Sequence, residues 1–308
     1  MKKKEIEESL HRRFEKINEL YGRIISSFAT EDIHRYRVEI KKLKAFLHLC
    51  ATGNGEHGKS GHLKLPRTIK QFYRLIGEIR NLELQLQRVN DFFPDEHCRP
   101  SDYLKQLEQR IEQLRSEVAQ LASPSLLLTG DEKVIKRAIC QKFNKRTVKV
   151  YMQDILKSIR RLKRERSDEQ LHAMRKVFKD LGFNKKLIVP AREKMTPAKE
   201  KMTPAKEVMT PAREVMTPAK EVITPAKRMG APAKGMVSPV KSLNLPGKEI
   251  MALLSDNQDL STALHYLQGK HWRELPEAEY EQLTGMALSL AAQKIRTKEN
   301  LEEKLRLL

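Results

Sequence analysis

The chain has few of the marks of a β protein. Stretches that alternate apolar and polar residues are nearly absent. Almost every ordered segment instead places its apolar residues at helical spacing, so the expected fold is all-α. No stretch of about 18 apolar residues occurs, which leaves no candidate for a membrane-crossing helix. The opening residues, Met1-Lys2-Lys3-Lys4-Glu5, lead into a charged amphipathic helix and not an apolar secretory leader. Cysteine is scarce. Cys50, Cys98 and Cys140 are scattered, odd in number and without CxxC spacing, which fits buried or idle thiols in a reducing cytoplasm. Aromatics make up 6% of the chain, few for a protein that grips single strands by stacking bases. Acid is the minority charge: 40 Asp and Glu stand against 60 Lys and Arg, a net charge of +20. That excess predicts polyanionic partners such as nucleic acid, anionic lipid or inorganic phosphate chains.

What is present is a succession of amphipathic helices. The periodicity predicts helices over about Glu5 to Phe28, Thr30 or Asp32 to Cys50, Arg67 to Phe92, and Ser101 to Leu121. A long basic helix runs from Asp131 to Arg166, then come a helix capped by Ser167 or Asp168, one over Lys248 to Leu267, and a last one from Glu277. Eight helices fall four on each side of residue 125, so 1–125 and 126–308 form two four-helix halves within one domain. Residues 192–240 break the pattern. They repeat every seven residues, as in LysGluLysMetThrProAla and LysGluValMetThrProAla. A proline in each repeat removes a backbone donor and pushes the preceding residue to extended geometry. This segment is expected to be an extended or disordered insertion with polyproline II character.

One short pattern occurs twice: His34-x-x-Arg37-x-x-x-Lys41 and His172-x-x-Arg175-x-x-x-Lys179. At about 100° per residue, His34, Arg37, Lys41, Lys44 and His48 fall within an arc of roughly 80° on one helix face. In the second copy Lys186 stands where His48 stands in the first. The apolar residues repeat as well: Ile33, Tyr36, Ile40 and Leu43 answer to Leu171, Met174, Phe178 and Leu181. Each basic stripe therefore borders a core-facing seam. A single stripe of this kind is usually a solvated helix face. Two in phase, each headed by histidine, suggest a site for a multiply charged anion.

These residues carry a resemblance. His34-Arg35-Tyr36-Arg37-Val38-Glu39-Ile40-Lys41-Lys42-Leu43-Lys44 resembles the first signature of the CHAD domain, the conserved histidine α-helical domain. Ile76-Gly77-Glu78-Ile79-Arg80-Asn81 is similar to its LeuGly-x-x-ArgAsp segment, and Leu171 to Lys179 to its second histidine helix. Leu254-Ser255-Asp256-Asn257-Gln258-Asp259 is similar to the closing LeuGly-x-x-AsnAsp segment. The resemblance implies two four-helix bundles about a pseudo-dyad, with a basic groove between them that holds inorganic polyphosphate, and an association with polyphosphate granules. Carried over, His34, Arg37, Lys41, Lys44, Arg80, His172, Arg175 and Lys179 line that groove, joined by His48 from the stripe and by Arg74 on the Arg80 helix. The chain departs from the pattern at Asn81, where an acid is usual. It departs again at Asp180, Gly182 and Phe183, which leave the second half-site less cationic.

The chemistry agrees. A phosphate chain offers repeated charge and no base edges; lysine supplies point charges, arginine a bidentate fork and histidine an adjustable donor. Other motifs are weaker. Gly53 to Ser60 satisfies the GxxxxGK[ST] spacing, but a helix and not a strand precedes it, and Leu65-Pro66 interrupts the segment downstream. His48, Cys50, His57 and His62 lack the spacing of a zinc site. The basic run Lys157 to Arg166 reads as the solvated end of a helix, with extension of the groove as the alternative. No nucleophile–base pair or carboxylate cluster stands out, and no cofactor or metal is implied. The leading expectation is a non-enzymatic polyphosphate-binding protein. A basic helical protein that binds nucleic acid is second, and a P-loop nucleotide-binding enzyme third.

Overall fold

The computed structural model describes residues 3–53, 65–121, 132–133, 135–136, 145–162, 167–193, 247–268 and 274–306. Among them the chain forms eight long helices and no strand: α1 (Lys3–Ser27), α2 (Thr30–Gly53), α3 (Arg67–Phe92), α4 (Ser101–Leu121), α5 (Lys145–Leu162), α6 (Asp168–Glu193), α7 (Lys248–Leu267) and α8 (Glu277–Arg306). The expected boundaries of α3, α4 and α7 coincide with these. Elsewhere α1 begins two residues early, α2 runs three residues past Cys50, and α6 carries two residues into the expected insertion. The rest of the Thr-Pro-Ala-Lys repeat lies outside the described residues. So do the GxxxxGKS loop after Gly53, His57, His62 and Cys140. Of the long basic helix, α5 and short helical pieces at 132–133 and 135–136 are described.

Consecutive helices pair as hairpins, α1 with α2, α3 with α4, α5 with α6 and α7 with α8. The same succession of neighbours recurs in each set of four, since α2 also meets α3 and α6 also meets α7. Across the two sets, α2 packs against both α5 and α6, making it the central helix. The apolar positions keep the 3.6-residue period, so each helix buries one stripe and leaves its charges on the other faces. On α1 the buried set is Ile6, Leu10, Phe14, Ile17, Leu20, Tyr21 and Ile24. The main apolar core draws residues from all eight helices. A smaller cluster of Leu171, Met174, Phe178, Ile250, Leu254, Leu301 and Leu305 fills the space between α6, α7 and the end of α8.

Polar contacts fix the frame that presents the basic helices. The α1–α2 turn passes through Phe28 at φ 50°, a left-handed conformation that a bulky residue holds only under tertiary constraint. Arg23 clamps the start of α2 through Asp32 at 2.8 Å. Asn184, wholly buried on α6, donates to the Ala45 carbonyl of α2 at 2.8 Å and to the Tyr151 hydroxyl of α5 at 3.1 Å. It locks the crossing of the two basic helices. Glu279 of α8 accepts from the backbone N–H groups of Asp102 and Tyr103 at 3.0 and 3.1 Å. That carboxylate satisfies orphan donors at the start of α4 and ties the last hairpin to the second.

Candidate functional site

The site is built from the faces of α2 and α6 that flank their shared crossing. Both apolar seams read from the sequence are buried: Ile33, Tyr36, Ile40 and Leu43 on α2, and Leu171, Met174, Phe178 and Leu181 on α6 are all at most 5% exposed. Burying the seams forces the neighbouring basic stripes to the edges of the interface, where Arg37, Lys41, His172, Arg175 and Lys179 are half-buried while His34 and Lys44 are exposed.

Lys41 is the centre of the cluster. Its ammonium is pushed down to about 8, by burial first and then by Arg37, Lys179 and Arg175, with Asp259 opposing. Because α2 packs on α6, a cation of the first copy lies in the field of two cations of the second. Lys179 is lowered in turn by burial and by Arg175. His172 is lowered by burial, then by Lys176 and Arg175 and more weakly by Lys41, while a hydrogen bond to Gln258 works the other way.

Two arginines are each seated against the next helix. The Arg37 guanidinium lies over the Tyr73 ring, 4.9 Å from its centroid, and donates to the Tyr73 carbonyl at 3.4 Å. It fits only because residue 77 is glycine. A Cβ there would sit 1.8 Å from Arg37 Nη1 and 3.0 Å from its Cζ. Burial lowers the Arg37 pKa, Arg80 adds to this, and Tyr73 and Tyr266 oppose it. On the second copy, Arg175 Nε donates to Ser255 Oγ at 3.2 Å. Gly77 and Ser255 occupy the same place in the two short motifs, so each copy seats its arginine against the corresponding residue of the next helix.

Lys44 stands 4.3 Å from the Tyr73 centroid, so that ring attracts two cations. Burial lowers its pKa, with Lys176, Arg37 and Lys70 adding and Asp180 opposing. Lys176, Lys70 and Tyr73 carry no signal in the sequence. Lys176 sits one turn after His172, where the first copy has Val38, so the duplicated pattern gives no sign of it. Lys70 and Tyr73 lie upstream of the Gly77 motif, and only the packing of α3 on α2 brings them in.

The remaining candidates distribute unevenly. Arg80 is half-buried and enters through Arg37, with Glu83 at 3.9 Å from its Nη1. His48 lies edge-on to Tyr151, with centroids 5.4 Å apart, and its Nδ1 is 3.9 Å from Asp180 Oδ2. His34 and Arg74 are exposed on α2 and α3, and neither is among the groups that act on Lys41. Asn81, the departure on α3, hydrogen-bonds the Tyr266 hydroxyl of α7. Lys157, Arg160 and Arg161 are exposed at the end of α5. No group of three metal-ligating side chains occurs among the described residues, and no described helix is long and apolar enough to cross a membrane.

The arrangement concentrates fixed positive charge where part of its hydration is stripped away. Such a cluster repels itself and is relieved by an extended anion that touches several cations at once. A family model described as CHAD domain matches residues 8–209, a span that contains both basic helices and the Gly77 motif. The match ends inside the repeat, so α7 and α8 lie beyond it. No curated protein matches the chain.

Proposed function

The chain belongs to the CHAD domain family, and on that premise we propose that it binds inorganic polyphosphate, without turnover, in a groove between α2 and α6. The observation that carries the reading is the packing of α2 against α6, which sets Lys41 in the field of Arg175 and Lys179. A phosphate chain laid along the two stripes would meet Arg37, Lys41 and Lys44 from one copy and His172, Arg175 and Lys179 from the other. His34, Arg74 and His48 would extend the track at its edges. Polyphosphate presents evenly spaced charge and nothing else to recognise, which suits a surface made of ammonium and guanidinium groups with one aromatic support. Two four-helix halves would then act as the two walls, and residence on polyphosphate granules would result if the affinity is sufficient.

The test is a competition. One labelled polyanion is displaced by polyphosphate, RNA or DNA at matched phosphate and salt. Polyphosphate should win, and its affinity should fall with a log–log salt slope of roughly −0.7 per phosphate contact, by analogy with single strands. RNA or DNA winning at equal phosphate would overturn the reading in favour of a nucleic-acid binder.

A further inference from the structure

Of the two acids that act on these cations, Asp259 is exposed and Asp180 is half-buried. Asp180 comes directly after Lys179 on α6, and the duplicated register places it opposite Lys42 of the first copy. The two positions behave differently. Lys42 turns away to Glu39, at 2.7 Å, and Glu39 also takes Lys16 at 3.5 Å. Asp180 instead lies toward α2, with its Oδ2 3.9 Å from His48 Nδ1. The groups that act on it are Lys44 and His48 from α2, Tyr151 from α5, and Lys176 from its own helix. Lys44 is a groove cation in the reading above, and Lys176 acts on both Lys44 and His172.

We propose that Asp180 is an internal competitor of the ligand: its carboxylate neutralises Lys44 and Lys176 in the empty groove, and polyanion binding requires that carboxylate to take up a proton or be overcome. The proposal rests on the polyphosphate-groove reading and adds to it a proton-linked affinity. One feature besides the contact geometry supports it. The carboxyl is pushed up to about 6, mainly by burial, and Lys44 and Lys176 fail to restore it. Its charge is therefore held at a cost near neutral pH. A phosphate chain placed beside it would raise that pKa further, so binding takes up a proton and tightens as pH falls.

The experiment titrates binding of long-chain inorganic polyphosphate, whose internal phosphates stay ionised, to the full chain at constant ionic strength. From about pH 7.5 down to about pH 5.5 the native protein should gain roughly tenfold in affinity, one proton being linked to binding. Asp180→Asn should bind about as tightly at the upper pH as the native protein does at the lower, and its pH profile should flatten. Asp154→Asn, an exposed acid on α5, removes the same formal charge and should change affinity less than about twofold. His48→Gln, His172→Gln and His34→Gln separate the imidazoles of the groove from the carboxyl. If one of them flattens the profile while Asp180→Asn does not, the proton sits on that imidazole and the proposal is overturned. Equal gains from Asp180→Asn and Asp154→Asn would overturn it too, because only diffuse charge would then be acting. A pH-flat native protein would also overturn it. The groove reading fails separately: the Arg37→Ala/Lys41→Ala protein would then bind as tightly as the native one.

Discussion

The α2 and α6 helices carry the same pattern in different surroundings. The α2 seam belongs wholly to the main core, which gathers residues from all eight helices. The α6 seam is divided: Leu181 joins the main core, while Leu171, Met174 and Phe178 pack in the small cluster with α7 and the end of α8. The central helix therefore holds its cations in the drier, more fixed environment. Arg37 is stacked on Tyr73 and seated against Gly77, whereas Arg175 has one hydrogen bond to a serine hydroxyl. The second copy also has an acid, Asp180, which interacts with Lys176 of its own helix and with Lys44 of the first copy. Repeating a motif repeats its register but not its desolvation, and desolvation sets how much each charge can contribute to holding an anion.

The largest expected effect breaks the groove at its dry side. Substituting Arg37 and Lys41 together with Ala should weaken polyphosphate binding roughly a hundredfold, at about 1.5 kcal/mol for each charge-assisted contact. The same pair on α6, Arg175 and Lys179, should cost less, about tenfold. A charge-matched control at Lys199 and Lys206 in the repeat should change affinity by less than about twofold. The fold should survive the groove substitutions, because Ile33, Tyr36, Ile40 and Leu43 stay buried and untouched. Isothermal titration with a thermal melt of each variant checks both parts. Equal losses from the two groove pairs would erase the asymmetry, and an equal loss from the control would erase the groove.

Gly77→Ala sharpens the same comparison without removing a charge. The new Cβ would occupy the space of the Arg37 guanidinium, and the flexible end of that side chain must swing out. Alanine is the better helix former by about 1 kcal/mol, so the melting temperature should hold or rise while affinity falls roughly tenfold. Ser255→Ala at the corresponding place on α7 removes one hydrogen bond to Arg175 and should cost about two- to threefold. A drop in stability that accompanies the Gly77→Ala affinity loss would mean that the helix, and not the arginine, had been disturbed.

How much of this is legible in the sequence depends on the range of the forces involved. The ends of α3 and α4 are marked by local chemistry, with Pro66 and Pro94 around one and Ser101 opening the other, and the expected bounds coincide with the observed ones. The stripe on α2 is legible because helical period is a property of neighbouring residues. That Arg37, Lys41, Arg175 and Lys179 meet is implied by duplication and needs the α2–α6 crossing to become geometry. What stays hidden is what packing alone creates. Tyr73 as a support for two cations, Lys176 as a partner of Lys44, and Asn184 as the lock of the crossing leave no mark in periodicity. His48 illustrates the limit. It lies in the stripe by angle, yet it meets Tyr151 and Asp180 as well as the stripe's edge.

A smaller effect concerns the proton on Lys41. Its folded value of about 8 lies below the ordinary 10.5, so the ammonium is complete below pH 8 and is lost as pH rises through it. A bound polyanion would raise that value again, so binding in the proposed groove would take up a proton above pH 8. Affinity should fall by several-fold from about pH 8 to about pH 9, with one proton linked. Lys41→Arg keeps its charge and should bind with a flat profile over that range. In the free protein the sign reverses. Between the two values the unfolded chain alone holds the proton, so Lys41 adds stability as pH rises, an increment that Lys41→Arg should remove from the melting curve.

The smallest expected effect tests whether the two copies differ by their acids as well as by burial. Asp259 and Asn81 occupy corresponding places in the motifs of α7 and α3. Asp259 acts on Lys41 and Lys179, while Asn81 is spent on the Tyr266 hydroxyl. Asp259 is exposed, so its influence passes largely through water and is screened by salt. Asp259→Asn should therefore strengthen polyphosphate binding by only about two- to threefold at low salt. The gain should vanish near physiological ionic strength, where the Debye length is about 8 Å. Asn81→Asp should weaken binding by a similar factor while leaving α3 joined to α7, since the Tyr266 hydroxyl that accepts from the amide can donate to a carboxylate instead. A gain from Asp259→Asn that persists in high salt would show that this carboxylate touches a groove cation directly, making Asp259 a second internal competitor beside Asp180.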